Sequence, residues 1–237
     1  MPPNNPYIEI VKQDPDIFTN TENIYAHQGK WAEYFGNDNP VVLEIGTGMG
    51  NFFGKQVGED QDKNFIGMEI RYKRLFQTAE KSRKARTLQP LSFSKGEDSG
   101  VDSKKGDNKN NFLLLKDFGQ NIDKIFSHGE ISETYIFFPD PWANKDRQKK
   151  HRIMLTPFLE KLFHVTKTGG KVFFKTDHQE YFDSSIDIIE KQGIWKIEQK
   201  THNYENSEIF DVKNITEFEG FYRGEKTAIN YLELVKA

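Results

Sequence analysis

The sequence predicts an α/β fold built on a seven-stranded, mostly parallel sheet, with helices on both faces and an antiparallel hairpin at the C-terminal end. Three observations carry this expectation. Short, nearly continuous apolar runs rich in β-branched and aromatic residues recur from Pro40 onward. Segments of helical character alternate with the first five of them, as in βαβ crossovers. The last two runs are joined by a polar connection, which fits a hairpin with a long loop. A strand covered on both faces has no reason to alternate polar with apolar residues, so the continuity of the runs points to a buried parallel sheet.

In order, the runs are VVLEIG (41–46), FIGMEI (65–70), NFLLLKD (111–117), ETYIFFPD (133–140), GKVFFKTD (170–177), IWKIEQKT (194–201) and AINYLELV (228–235). Helical segments between them include RYKRLFQTAEKSRKA and LTPFLEKLFHVTK. Residues 1–38 are polar, proline-punctuated and without a sustained period, and are expected to be an extension laid over a single domain at 39–237. Within that domain SFSKGEDSGVDSKKGDNKNN, Ser92 to Asn111, is nearly devoid of apolar residues and reads as a solvated, mobile insertion.

A chain of 237 residues with 35% hydrophobic content suffices for one full-sized core. With no cysteine, disulfides, thiolate metal sites and cysteine nucleophiles are excluded by counting. The six histidines show no spacing with carboxylates that suggests a metal site. No apolar run approaches the roughly 20 residues needed to span a bilayer, so a cytoplasmic protein is expected, with no membrane partner. The pI near 6.1 means that any polyanion must meet a local patch.

The first stretch that carries chemistry is VVLEIGTGMGNFF, with Gly46, Gly48 and Gly50 directly after the first strand. Glycines there let the backbone approach a ligand at the carboxyl end of the sheet. A dinucleotide fingerprint would need glycine at position 51, which is Asn51. Instead Glu44 sits in the strand end and Glu69 closes the second strand, placed to accept from ribose hydroxyls. Two carboxylates near the loop suit a cofactor with a cationic part and no pyrophosphate, which describes S-adenosylmethionine. Asp117 ends the third strand, where it can accept from an adenine amine or cap the following turn.

The fourth strand ends in FFPDPW, in which Pro139 and Pro141 fix the backbone around Asp140. Six basic residues follow within eight positions: Lys145, Arg147, Lys149, Lys150, His151 and Arg152. In an acidic chain, attached to a rigid turn, such a run can hold a phosphate backbone beside an acceptor. A solvated face is the bland alternative.

Together the segments LEIGTGMG, FIGMEI, FFPDPWANKDRQKKHRI, FKTD and TEFE resemble, in order and spacing, the bacterial tRNA (guanine-N7-)-methyltransferases of the TrmB type. The resemblance covers about residues 40–235. It implies a Rossmann-like class I methyltransferase fold, and transfer of a methyl group from S-adenosylmethionine to N7 of a guanine in the variable loop of tRNA. Carried over residue by residue, it places cofactor contacts on Glu44, Glu69, Asp117 and Asp140, with Asp140 also the functional aspartate. Substrate contacts fall on Lys145, Asp177 and Thr216, Glu217, Phe218 and Glu219, and the basic tail adds Arg147, Lys150 and Arg152. The chain departs from the family pattern in one extra residue after Trp142, in Gln148 where histidine is usual and in His151 where arginine is usual. Lys145 is taken as the family lysine, with Asn144 in that place if no gap is allowed.

The expectation is therefore an enzyme that binds S-adenosylmethionine and tRNA, as a monomer or homodimer and without a metal. Two readings of other classes share the fold. A nicotinamide oxidoreductase is opposed by Asn51, and a catalytically silent RNA-binding module is separated by turnover. Within methyltransferases, a different acceptor nucleotide is the nearest rival.

Overall fold

The computed structural model describes residues 5–88, 110–212, 215–216, 219 and 227–237. Its sheet is built from β1 (Ile17–Phe18), β2 (Val41–Ile45), β3 (Asn64–Met68), β4 (Phe112–Leu115), β5 (Ile131–Phe137), β6 (Thr166–Thr176), β7 (Lys196–Thr201) and β8 (Asn230–Val235). The spatial order is β1-β4-β3-β2-β5-β6-β8-β7. All pairings from β1 to β6 are parallel, and β8 enters antiparallel between β6 and β7. The chain winds outward from β2 through β3 to β4 and then returns to β5 on the other side. That reversal leaves a crevice beyond the carboxyl ends of β2 and β5, where open α/β sheets bind ligands.

Every residue of β2, β3 and β4 is buried, which is the burial the continuous apolar runs require. Alternate side chains feed two cores. Leu43 and Ile45 pack with Trp31, Ile122, Phe158 and Phe182 on one face. On the other, Val42 packs with Phe52, Phe53, Leu75 and Tyr135. The first face carries α2 (Thr21–Ala26), α3 (Trp31–Phe35), α6 (Ile122–Ile125), α7 (Thr156–Val165) and α8 (Gln179–Gln192), and the second α1 (Tyr7–Gln13), α4 (Asn51–Glu59) and α5 (Tyr72–Thr87).

Two sequence expectations are corrected. The sheet has eight strands, because Ile17–Phe18 in the N-terminal segment pairs with Leu114 and Leu115. Two residues are too short to leave a periodic signature. The segment around them is tied down by Arg83, which donates to Asp16 at 2.7 Å and pairs with Asp14, while Trp31 is fully buried and donates to Ile125 O at 3.0 Å. The polar stretch 92–111 also ends earlier than expected. Asn111 is buried at the start of β4 and donates to Asp60 O at 3.2 Å. The rest of that stretch lies outside the described residues.

Candidate active site

The loop after β2 holds Gly46, Gly48 and Gly50 at φ of 85°, 56° and 77°. At Gly50 the requirement is steric twice over, since a Cβ would meet Thr78 Cα of α5 at 2.5 Å as well as forcing a left-handed conformation. Around Gly46 no heavy atom lies within 4 Å of the Cβ position, so bare backbone forms part of a wall there. Its N–H and that of Thr47 donate to Met68 O at 2.8 and 3.2 Å, fastening the loop to β3.

That wall belongs to a cleft of about 620 Å³ at the switch point, which Glu69, Asp117 and Asp140 all line. The volume is that of an ordinary small-molecule site. Glu69, at the end of β3, is buried, and its Oε1 accepts from Ile70 N at 2.8 Å and Arg71 N at 2.9 Å. Arg74 stands 3.7 Å from its Oε2. These donors fix the side chain in one orientation. Asp117 is likewise buried, and its Oδ1 accepts from Phe118 N and Asn121 Nδ2, both at 2.7 Å, so it fastens the following turn as well as facing the cleft. Its Oδ2 is buried without a hydrogen-bond partner among the described residues. Tyr25 is a further protein donor to this carboxylate: burial first, then the Asp117 charge and a loose hydrogen bond to Asp117, raise the phenol's pKa.

A carboxylate oxygen on a cleft wall with no well-formed hydrogen bond has room for a ligand donor. The apolar wall, with Ile45, Met68, Ile70 and Phe118, suits a purine ring. Among the cations on the wall, Lys161 is engaged by Gln120 O and Asp123, both at 2.9 Å. Such a site fits S-adenosylmethionine: Asp117 Oδ2 for its exocyclic amine, Glu69 for its ribose hydroxyls and apolar side chains for its base. Glu44 is not brought to this wall. Buried in β2 and pointing to the other face of the sheet, it lines a small neighbouring pocket with Thr47, Asn51 and Thr216, separated from the cleft by Gly46.

The turn after β5 has a tightly constrained backbone. Phe138 and Trp142 have φ of 51° and 47°, the two non-glycine residues with positive φ among the described residues, and they bracket Pro139, Asp140 and Pro141. Phe138 N is held by Lys175 O at 2.9 Å. Asp140 is exposed on the cleft wall. Trp142 is exposed, with its ring against His151, centroids 5.3 Å apart, and lines the same wall.

The basic tail divides into two populations. Lys145, Arg147 and Lys150 are exposed, and Lys150 reaches the cleft wall. Lys149 pairs with Asp146 at 3.1 Å and Glu180 at 3.2 Å. Arg152, expected among the phosphate-binding cations, turns inward instead. It is 5% exposed, and its Nε donates to Pro141 O at 2.8 Å. Its other nitrogens bind Glu180 Oε2 at 2.5 Å and Ser184 Oγ at 3.0 Å, with the guanidinium over the Tyr181 ring at 4.6 Å. Arg152 thereby pins the Pro-Asp-Pro-Trp turn to α8, and it holds Glu180 as a carboxylate with a pKa lowered to about 2. The 3-10 turn over Asp146–His151 produces this split by rotating position 152 toward the core.

Beside the same strand ends, Lys175 is fully buried and donates to Glu219 Oε1 at 2.9 Å. Glu219 Oε2 accepts from Thr216 N at 2.6 Å, and Glu219 N donates to Thr216 Oγ1 at 3.3 Å. Glu219 is thus turned into the protein by an ion pair, contrary to the expectation that it faces the substrate base. Glu217 and Phe218 lie outside the described residues. Asp177, just past β6, is half-buried away from the cleft wall. Lys175 is not among the site residues expected from the sequence. The signal was there in the FKTD segment, a lysine inside an otherwise apolar strand, which must have a buried partner.

A sheet with this switch point, a glycine loop after its central strand, a carboxylate at the end of the next and an antiparallel strand inserted between its last two has the architecture of a class I, S-adenosylmethionine-dependent methyltransferase. The model of the family described as "Putative methyltransferase" matches residues 38–231. A tRNA (guanine-N(7)-)-methyltransferase of Bdellovibrio bacteriovorus is 32% identical over 213 residues, 89% of this chain and 90% of that protein. Another of the same name, from Bacillus velezensis, is 32% identical over 71% of this chain and 67% of its own length. The chain belongs to the tRNA (guanine-N7-)-methyltransferase family. It is also 32% identical over 97% of its length to a bifunctional glycosyltransferase/methyltransferase of Fusobacterium nucleatum, of which it spans 31%. Among solved structures, an antibiotic-related methyltransferase superimposes with a TM-score of 0.54 at 15% identity, over 87% of this chain and 92% of that one. The 16S rRNA (adenine(1408)-N(1))-methyltransferase of Catenulisporales acidiphilia, solved with S-adenosylmethionine, gives 0.52 at 13% identity, over 88% and 90%. Both likenesses concern the fold.

Proposed function

We infer that this chain methylates N7 of a guanine in the variable loop of tRNA, acting in the cytoplasm as a monomer or homodimer through residues 39–237. The observation that supports it most is that Asp140, on a strained and anchored turn, shares the cleft wall with the exposed Lys150, while Lys145 and Arg147 are exposed in the segment between them. When bound, S-adenosylmethionine supplies an electrophilic methyl group on a sulfonium centre.

Guanine N7 carries an in-plane lone pair that needs no deprotonation, so the site requires no strong general base. What the protein must provide is alignment and a compensating negative charge as the purine becomes cationic. Asp140 supplies that charge at a fixed place. Glu69 and Asp117 hold the ribose and adenine ends of the cofactor, and Glu44 acts from beneath the glycine loop. Lys145, Arg147 and Lys150 contact phosphates and set the register of the RNA. Asp177, past the end of β6 and outside the cleft wall, is the carboxylate left to read the guanine Watson–Crick edge, while Thr216 and Glu219 brace the strand ends through Lys175.

Incubating the chain with labelled cofactor and, in parallel, bulk tRNA and ribosomal RNA tests the substrate class. Label entering tRNA, and lost with Asp140→Ala, supports the reading; equal labelling of ribosomal RNA, or none of tRNA, refutes it.

A further inference from the structure

The mechanism above leaves Trp142 without a role. Three features set it apart. The chain has three tryptophans; Trp31 and Trp195 are 0% and 6% exposed, whereas Trp142 is 39% exposed and stands on the cleft wall next to Asp140. Its backbone is left-handed at φ 47°, a conformation a bulky residue keeps only when its surroundings over-determine it. The surroundings do so: Pro141 precedes it, the Pro141 carbonyl is held by Arg152, and the His151 ring packs on the indole at 52° between planes. Backbone strain and an anchored turn are thus used to present a large aromatic face to a ligand cleft rather than to the core.

We propose that Trp142 is the stacking residue for the acceptor purine and that its indole face stabilises the positive charge the purine acquires on methylation. The balance of the step explains why an indole belongs there. The N7 lone pair forms the new N–C bond as the methyl–sulfur bond breaks; sulfur keeps the bonding pair and becomes a neutral thioether, and the purine becomes a cation. No proton moves. An indole is the strongest of the aromatic partners for a cation, and its attraction grows as charge transfers. Stacking therefore favours the transition state over neutral guanine, which is the kind of interaction that raises kcat. Asp140 beside it acts on the same charge in the plane of the wall, while Trp142 acts through the ring face.

The proposal rests on the guanine-N7 reading, and its test separates the two. Trp142→Leu and Trp142→Phe are made in the full chain, and kcat, tRNA Kd and melting temperature are measured. The leucine variant is expected to lose roughly 10- to 30-fold in kcat, with phenylalanine in between and tRNA Kd within about twofold of the parent. A second readout avoids turnover. With S-adenosylhomocysteine present, the parent should bind tRNA carrying 7-methylguanosine several-fold more tightly, relative to unmodified tRNA, than Trp142→Leu does. An unchanged kcat in Trp142→Leu, a phenylalanine variant as poor as leucine, or an affinity ratio that survives the leucine substitution overturns the stacking role. A parent enzyme that labels another atom of tRNA overturns the N7 reading, and the cation argument with it, before any variant is compared.

Discussion

Arg152→Met separates two roles that one arginine in a basic tail could have. As a phosphate contact, its loss would lower the dependence of log tRNA affinity on log salt by about 0.7 to 0.9. As the anchor the structure shows, its loss leaves that slope unchanged and acts on stability and kcat. The magnitude follows from what is removed: a donor to Pro141 O, a paired contact to Glu180, a contact to Ser184 and stacking on Tyr181. Hydrogen bonds to charged groups contribute about 1.5 to 3 kcal/mol each. Glu180 keeps 48% of its side-chain surface and rehydrates when released, so the Glu180 contribution is discounted. Methionine retains part of the apolar contact with Tyr181. A net loss of about 2 to 4 kcal/mol remains, which in a domain of this size lowers the melting temperature by about 5 to 15 °C. Because the turn carrying Asp140 is then released, kcat should fall at temperatures where the variant is still folded. Thermal melts, steady-state kinetics and filter binding across a salt series measure all three. A parental melting temperature together with a flattened salt slope would refute the anchor and restore Arg152 to the RNA interface.

Asp140→Asn should fold and bind tRNA normally but lose on the order of 100-fold or more in kcat, since it removes one fixed charge at the reacting edge; near-parental turnover would reject the role. Replacing Lys145, Arg147 and Lys150 together by alanine should cut the salt slope by about 0.7 to 0.9 per lost contact and leave cofactor affinity, measured by calorimetry, unchanged. Lys175→Met leaves the Glu219 carboxylate buried without its partner and should cost about 3 to 5 kcal/mol in denaturant unfolding, much of it recovered in Lys175→Met/Glu219→Gln. The Glu180 anchor has a signature in acid. Its folded pKa of about 2 lies below the ordinary value of 4.5, so its stabilisation is complete above about pH 4.5 and fades as pH falls toward 2. The melting-temperature gap between parent and Glu180→Gln should narrow over that window, and a constant gap would contradict the assignment.

What the sequence disclosed and what it hid follow from range. Buried parallel strands leave a local record, because a run such as VVLEI must be apolar on both faces, and the carboxylates at strand ends fall at the crevice once the winding is known. Glu69, Asp117 and Asp140 were legible for that reason. Contacts between distant positions leave no such record. Arg152 reads as one more cation in a basic run, and only its meeting with Glu180, 28 positions on, reverses its role. Lys175 and Glu219 are 44 positions apart, and neither segment alone reveals that the pair is buried. At Ile17–Phe18 the difficulty is length, since two residues set no period.

The central claim concerns the atom methylated, and 7-methylguanosine betrays itself chemically, because its cationic ring is reduced by borohydride and the chain then breaks in aniline. Bulk tRNA lacking the modification is incubated with the protein and cofactor, treated in this way, and the fragments are mapped. The account predicts enzyme-dependent scission at one guanine in the variable loop, absent with Asp140→Asn. Methyl label incorporated into tRNA without any scission would place the methyl group on another atom and contradict it.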